Sequence, residues 1–187
     1  MSEMGRRIGG LLLLATILPA WKGAFEERAV WLDVPFVKQQ KYGCGAACIA
    51  MVLQYWSRAA GESPQPDAEA ARIMKRLYSS RAKGIFASDM EHFFREAGFE
   101  TFAFKGEWLD LQRHLSKGRP LIVSLKDNPG ENQLHYAVVT GVDPPAGMVL
   151  LNDPARRKLL KMDRESFEKR WNAAANWTLL AVPTSRR

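Results

Sequence analysis

Cys44 stands where a loop is expected to become a helix, and that position favours a reactive thiolate. Residues 39–43 have loop composition, whereas residues 44–56 are almost wholly apolar and predict a helix that is buried on most faces. The free N–H groups and the dipole at a helix N-terminus stabilise a thiolate, so the pKa of a thiol there falls. Gly45, directly after it, lets a substrate carbonyl approach the backbone closely. Cys44 is therefore the candidate nucleophile.

The second cysteine, Cys48, fits a structural role instead. It lies one turn further into the same apolar helix, where a small buried side chain is the commonest fate of a cysteine. A disulfide between positions four apart in one helix has poor Cβ geometry, so we expect no bond to Cys44. The spacing of the two cysteines also fits no paired zinc motif.

A thiolate that cleaves an amide needs an imidazole to protonate the leaving amine, and the chain has three histidines. His92 and His114 lie on polar stretches of predicted helices and are interpreted as surface residues. His135 opens the predicted strand 135–142 directly after a polar loop, so its ring can project into a cleft. His135 is therefore the candidate acid and base.

The imidazole in turn needs an acceptor to orient it, and the developing oxyanion needs donors. Asp153 follows the predicted strand 148–151, so it can meet His135 if the two strands are antiparallel neighbours; the other interpretation is a local Asx turn before proline. The Cys44 backbone N–H is one oxyanion donor. A glutamine just upstream, Gln39 or Gln40, is the natural second.

The elements that must position these residues predict an α+β domain. Helices come first and strands of an antiparallel sheet follow, which indicates segregated layers. Asp67 and a Ser88–Glu91 capping box mark two helix starts, and Asp163 is predicted to cap the last helix, which runs to Trp171. The other predicted helices are 68–78, 88–97 and 108–117, and the predicted strands are 34–37, 121–125, 135–142, 148–151 and 177–182.

The N-terminus has the pattern of a secretory signal. Arg6 and Arg7 precede the apolar run 8–18, and a positive start before such a run is typical of a signal peptide. We expect residues 1–24 to be a signal peptide or, if uncleaved, an N-terminal membrane anchor through residues 8–18, and residues 25–187 to form the folded domain. An exported protein, periplasmic or extracellular, is the resulting expectation.

Composition excludes several classes of protein. The chain has 187 residues, 47% of them hydrophobic and 25% charged, which is typical of one globular domain rather than a disordered or fibrous chain. Its formal net charge is +7, but the basic residues are dispersed, with one modest cluster at 156–158. A solvated basic surface explains this pattern better than a nucleic-acid site, so no nucleic-acid partner is expected.

The ordered set of candidate residues resembles the bacteriocin-processing cysteine peptidases that cut after double-glycine leaders, cysteine-peptidase family 39, and their stand-alone relatives. The similar segments span about residues 33 to 171, and the pieces that carry the resemblance are 34–47, Gly84, 88–98, 118–123, 135–143 and 152–154.

The resemblance implies a papain-like fold in which Cys44 is the nucleophile, His135 the general acid and base, and Asp153 its orienter. It also implies a glutamine as oxyanion donor. That glutamine often stands six residues before the cysteine in the family, where this chain has Lys38. Gln39 is therefore the predicted donor, with Gln40 as the alternative.

The expected function is that of an exported papain-like cysteine peptidase acting on a peptide or protein substrate. Such chemistry needs neither a metal nor an organic cofactor. Two alternatives share the same scaffold: acyl transfer or deamidation by the same triad, and a module that binds peptides without cutting them.

Overall fold

A computed structural model describes residues 28–61, 66–126 and 133–184. The predicted signal segment, residues 1–24, lies outside these ranges. Within them, no helix combines the length and the hydropathy needed to cross a bilayer.

The described ranges contain five helices and seven strands. In chain order they are β1 (Val30–Trp31), α1 (Cys44–Ala59), α2 (Pro66–Leu77), α3 (Ala87–Glu96), β2 (Phe99–Lys105), α4 (Trp108–Leu115), β3 (Leu121–Leu125), β4 (His135–Asp143), β5 (Met148–Asn152), β6 (Leu160–Asp163), α5 (Arg164–Asn172) and β7 (Trp177–Pro183).

All seven strands join one antiparallel sheet in the order β2-β7-β3-β4-β5-β6, and β1 also pairs with β4. The central strand β3 is buried on both faces because helices cover both. Its Ile122 packs with α1, α2 and α3, whereas Leu121 and Val123 pack with α4 and α5. This alternation follows from the two-residue period of a strand. The predicted α+β fold, with N-terminal helices on an antiparallel sheet, is confirmed.

Helix α1 is the central buried helix that the apolar run predicts. It begins at Cys44, as expected, and every residue from Gly45 to Val52 is buried. Two hydrogen bonds tie its C-terminal half to neighbouring elements: Trp56 Nε1 donates to the Ala181 carbonyl at 3.1 Å, and Tyr55 Oη to the Gly118 carbonyl at 2.9 Å. The residue that begins this helix is therefore held on a rigid element.

The predicted strand at 34–37 is wrong. This segment is irregular, and the strand before α1 is β1, at Val30–Trp31. Pro35 has no N–H to donate to a ladder, which disfavours a strand there. The carbonyls of Val34 and Pro35 instead accept hydrogen bonds from the Asn152 side chain.

The helix starts and the edge strands differ in part from the sequence pattern. Helix α3 begins at Ala87 without a side-chain cap, so the Ser88 capping box is wrong, whereas Asp163 caps α5 by accepting from the Ser166 N–H at 2.8 Å. Strands β2 and β6 were not predicted, and they lie at the two edges of the sheet. Neither strand contains a fully buried residue, so their hydrophobic signal is weak.

Gly141 is required where β1 docks on β4. A Cβ at this position would lie 2.6 Å from the Val30 carbonyl oxygen, which is closer than real Cβ contacts allow. We expect Gly141→Ala to displace β1 and to lower the free energy of unfolding by about 1–3 kcal/mol, measured by urea titration. Gly84→Ala is the matched control, since its nearest neighbours would be 3.7 Å away. An equal loss in both variants would contradict the assignment.

Candidate active site

Cys44 is the first residue of α1, and the turn before it leaves the helix N-terminus open. Tyr42 has a left-handed φ of 60°, and Gly43 occupies the N-cap position without a side chain to cap the helix. The first turn also has no acidic residue. Its N–H groups and the helix dipole therefore face the thiol without a competing carboxylate.

His135 is the first residue of β4, the strand against which α1 packs, and its ring is close enough to the Cys44 thiol for each group to shift the pKa of the other. The imidazole is partly shielded, with 19% of its side chain exposed. The Tyr136 backbone N–H is also close enough to the sulfur to lower the pKa of the thiol. The start of one strand therefore supplies two groups that stabilise a thiolate.

Asp153 follows β5, the antiparallel neighbour of β4, and its side chain is fully buried. Its Oδ1 lies 2.8 Å from His135 Nε2, which leaves Nδ1 as the ring nitrogen available to the thiol. The same Oδ1 accepts from the Ala155 N–H at 3.0 Å. The carboxylate of Asp153 therefore forms the local Asx contact and faces the imidazole at the same time.

The titration of these groups favours a thiolate–imidazolium pair. Burial raises the pKa of Cys44, but hydrogen bonds from His135 and Tyr136 outweigh it and hold that pKa below its usual value. Burial lowers the pKa of His135, yet its contacts with Asp153 and Cys44 raise it to about 9. Burial likewise opposes the Asp153 carboxylate, and His135 keeps the pKa of Asp153 below its usual value. These shifts all favour the charged forms of the three groups: a thiolate, an imidazolium and a carboxylate.

Gln39 and Gln40 lie in different environments. Gln39 is half-buried, its backbone N–H donates to the Pro154 carbonyl at 3.0 Å, and its Oε1 is buried without a hydrogen-bond partner. The Gln40 side chain is exposed, and the Gln40 backbone carbonyl accepts from the Gly43 N–H at 2.9 Å to close the turn before α1. Gln39 is thus the glutamine fixed beside the loop that carries Asp153.

Sequence reasoning missed three contributors to this site. The first is the Tyr136 N–H, and the others are the Asn152 side chain and the Pro154 carbonyl, which hold the segment before Cys44. Two of the three are backbone groups, which leave no mark on residue type. Asn152 could have been found from the sequence, because it is a polar residue at the end of an apolar strand, but a role is predicted only for its neighbour Asp153.

The remaining cysteine and histidines lie apart from this chemistry. Cys48 is fully buried, and burial raises the pKa of its thiol well above the usual value. Both cysteines are free thiols. His92 is exposed beside Glu96, whereas His114 is half-buried against the Phe104 ring, so its interpretation as a surface residue is wrong.

A cavity of about 310 Å³ opens between α1 and α2 beside the turn that carries Gln39 and Gln40. Small residues line its helical walls: Ala46, Ala47, Ala70 and Ala71. Gln39, Gln40 and Gly43 also line this cavity, whereas the Cys44 thiol does not.

Comparison with known proteins gives one family and several solved folds. The model of the Peptidase C39 like family matches residues 31–178 of this chain. A search of curated proteins found no match.

The solved structures share the fold at low sequence identity. The peptidase domain of Streptococcus ComA, described as a bifunctional ABC transporter involved in quorum sensing, is 21% identical with a TM-score of 0.60; the alignment covers 81% of this chain and 98% of that one. A Bacillus anthracis structure described as C39-like is 18% identical with a TM-score of 0.65, over 85% of this chain and 100% of that one. The Streptococcus mutans ComA peptidase domain is 19% identical with a TM-score of 0.52, over 79% and 98%.

Proposed function

Because the chain belongs to the Peptidase C39 like family, we propose that it is an exported papain-like cysteine peptidase that hydrolyses peptide bonds through Cys44, His135 and Asp153. The observation that carries the proposal is the arrangement of the three side chains: the His135 ring shifts the pKa of the Cys44 thiol, and its Nε2 lies 2.8 Å from Asp153 Oδ1. The segment before residue 25, with its arginine pair and apolar run, supports export.

In the first half of the reaction, the Cys44 thiolate attacks the carbonyl carbon of the peptide bond. A C–S bond forms, and the carbonyl π electrons move to oxygen, which becomes an oxyanion. When the oxyanion collapses, the C–N bond breaks, and the His135 imidazolium gives its proton to the departing amine. The products are a thioester on Cys44, a neutral imidazole and a free amine.

In the second half, water hydrolyses the thioester. The neutral His135 takes a proton from the water as its oxygen attacks the thioester carbonyl, and a second oxyanion forms. Its collapse breaks the C–S bond, releases the carboxylic acid product and restores the thiolate–imidazolium pair. Asp153 keeps its charge throughout and stabilises the imidazolium of the resting state.

The decisive experiment is cleavage of a peptide library in H₂¹⁸O, with products identified by mass spectrometry. Hydrolysis predicts one ¹⁸O in each new C-terminal carboxylate and a new free amine. Ligated peptides without ¹⁸O would indicate acyl transfer, and ¹⁸O confined to side-chain carboxylates would indicate deamidation. Binding without any product in the wild type would favour the peptide-binding module, and each of these three results would overturn the proposal.

Replacement of the two upstream glutamines should have different effects on the rate of peptide hydrolysis. We expect Gln39→Ala to lower kcat by about 10²- to 10³-fold with little change in KM, because an oxyanion donor acts mainly in the transition state. Gln40→Ala, which removes an exposed side chain from the same turn, should leave kcat unchanged. The reverse order of effects would transfer the donor role to Gln40.

A further inference from the structure

Asn152 is fully buried and uses both ends of its amide. Its Nδ2 donates to the Val34 carbonyl at 3.0 Å and more weakly to the Pro35 carbonyl at 3.4 Å. Its Oδ1 accepts from the Leu159 N–H at 3.0 Å. One side chain thus joins the segment before α1 to both ends of the loop that follows β5.

The segment that Asn152 holds contains Gln39 and leads directly to Cys44. Residues 34–43 form neither helix nor strand, so no ladder of backbone hydrogen bonds fixes their position. Further along the segment, the Gln39 N–H donates to the Pro154 carbonyl at 3.0 Å. The tripeptide 152–154 therefore holds this segment at two points, while its middle residue, Asp153, orients His135.

Resting on the proposed function, we propose that Asn152 is a positioning residue that sets Gln39 relative to the Cys44–His135 pair. The side chain touches none of the reacting groups and acts through the backbone of residues 34–39. Its loss should therefore weaken stabilisation of the oxyanion while leaving the thiolate unaffected. The loss of a merely structural residue would instead impair stabilisation of the oxyanion and formation of the thiolate equally.

Two probes of Cys44 separate these effects in the full-length protein. Iodoacetamide forms a C–S bond and releases iodide, so its rate depends on the thiolate alone. The aldehyde acetylglycylglycinal adds the thiol across its C=O bond, and the resulting oxygen occupies the oxyanion position. We expect Asn152→Ala to weaken aldehyde affinity by about 10- to 100-fold, because small misplacements of a catalytic group cost this much, and to leave the rate and pH dependence of alkylation unchanged.

Thr140→Val is the matched control. Thr140 is also fully buried and donates to a backbone carbonyl, that of Leu150 at 3.2 Å, but it holds no part of residues 34–39. We expect this variant to bind the aldehyde like the wild type. Weakening in both variants would overturn the positioning role.

A double-mutant cycle tests the route of the effect. If Asn152 acts through Gln39, then Asn152→Ala should add nothing to the loss caused by Gln39→Ala. Additive losses would overturn the inference. Asn152→Ser provides a smaller perturbation in case the alanine variant does not fold; if neither folds while Thr140→Val does, Asn152 stabilises the fold and the positioning role is wrong.

The failures of the two proposals can be told apart. A wild-type protein whose Cys44 is alkylated no faster than a free thiol and binds no aldehyde would overturn the proposed function, and this inference with it. A wild type that binds the aldehyde, with an Asn152→Ala variant that binds it equally, would overturn the inference alone.

Discussion

Replacing Cys44 with alanine is expected to abolish peptide hydrolysis, with kcat/KM falling by at least about 10⁴-fold, since the nucleophile of a covalent mechanism has no substitute. Labelling by a thiol-reactive peptide electrophile should disappear as well. The substitution removes only the sulfur of a partly buried side chain, and alanine favours a helix, so the fold should stay intact. Intact-mass spectrometry after labelling, together with circular dichroism, measures both expectations.

Cys48 provides the control within the same helix. Its thiol is fully buried, and burial raises its pKa, so at neutral pH it should be protonated and out of reach of the reagent. Cys48→Ala should therefore be labelled once, at the rate of the wild type. Label that persists on Cys48 in the Cys44→Ala variant would contradict the assignment of the nucleophile.

The positions of the candidate residues could be predicted because their types mark the junctions between elements. An apolar run after a glycine-containing turn indicated α1 and placed Cys44 at its start, where the structure has it. The strands predicted at 135–142 and 148–151 were also recognisable from their apolar pattern, and the structure extends each by one residue. Antiparallel pairing of β4 with β5 then brings His135 and Asp153 to the same end of the sheet.

What the residue pattern could not supply was mainly backbone geometry. The segment 34–37 has the composition of a strand, and its Val34 and Val37 are indeed buried, but Pro35 and the Asn152 amide give it an irregular path. The effect of the Tyr136 N–H on the pKa of the Cys44 thiol depends on how β4 packs against α1. Almost every residue has a backbone N–H and a carbonyl, so only the folded structure shows which of them contribute to the site.

The edge strands show a similar limit. Strand β2 lies at an edge of the sheet, pairs only with β7 and contains no fully buried residue; its Phe102 is exposed. A half-exposed edge strand lacks the continuous apolar run by which the central strands were recognised. Strand β2 forms because it pairs with β7, and its own residues do not predict it.

The Cys44–His135 pair is also expected to give a bell-shaped pH dependence of kcat/KM. On the acid side, activity should rise as Cys44 loses its proton, below the usual pKa of a thiol. On the alkaline side, it should fall near pH 9, where His135 loses the proton that the leaving amine needs. Alkylation by iodoacetamide needs no proton donor, so its rate should not fall above pH 9. A parallel fall in both measurements would contradict the role of His135.

His135→Ala should lower kcat/KM by about 10²- to 10⁴-fold, the usual contribution of general acid–base catalysis, and should remove the alkaline limb. The pKa of Cys44, read from the pH dependence of alkylation, should rise at the same time, because the variant lacks the hydrogen bond and the charge that stabilise the thiolate. An unchanged thiol pKa in this variant would mean that the two side chains do not form a working pair.

Asp153→Asn tests the charge of the orienter separately from its position. An asparagine Oδ1 can still accept from His135 Nε2 and from the Ala155 N–H, so the ring should keep its orientation. The imidazolium loses a buried carboxylate partner, and its pKa should fall, moving the alkaline limb of kcat/KM down by about one to three pH units. The pKa of His135 falls because the Asp153 carboxylate stabilises the charged ring, and its removal therefore favours the neutral ring. Asp33→Asn removes an equal charge from an exposed pair with Lys158, and the alkaline limb should not move. If the limb moved equally in both variants, general electrostatics rather than Asp153 would set the pKa of His135.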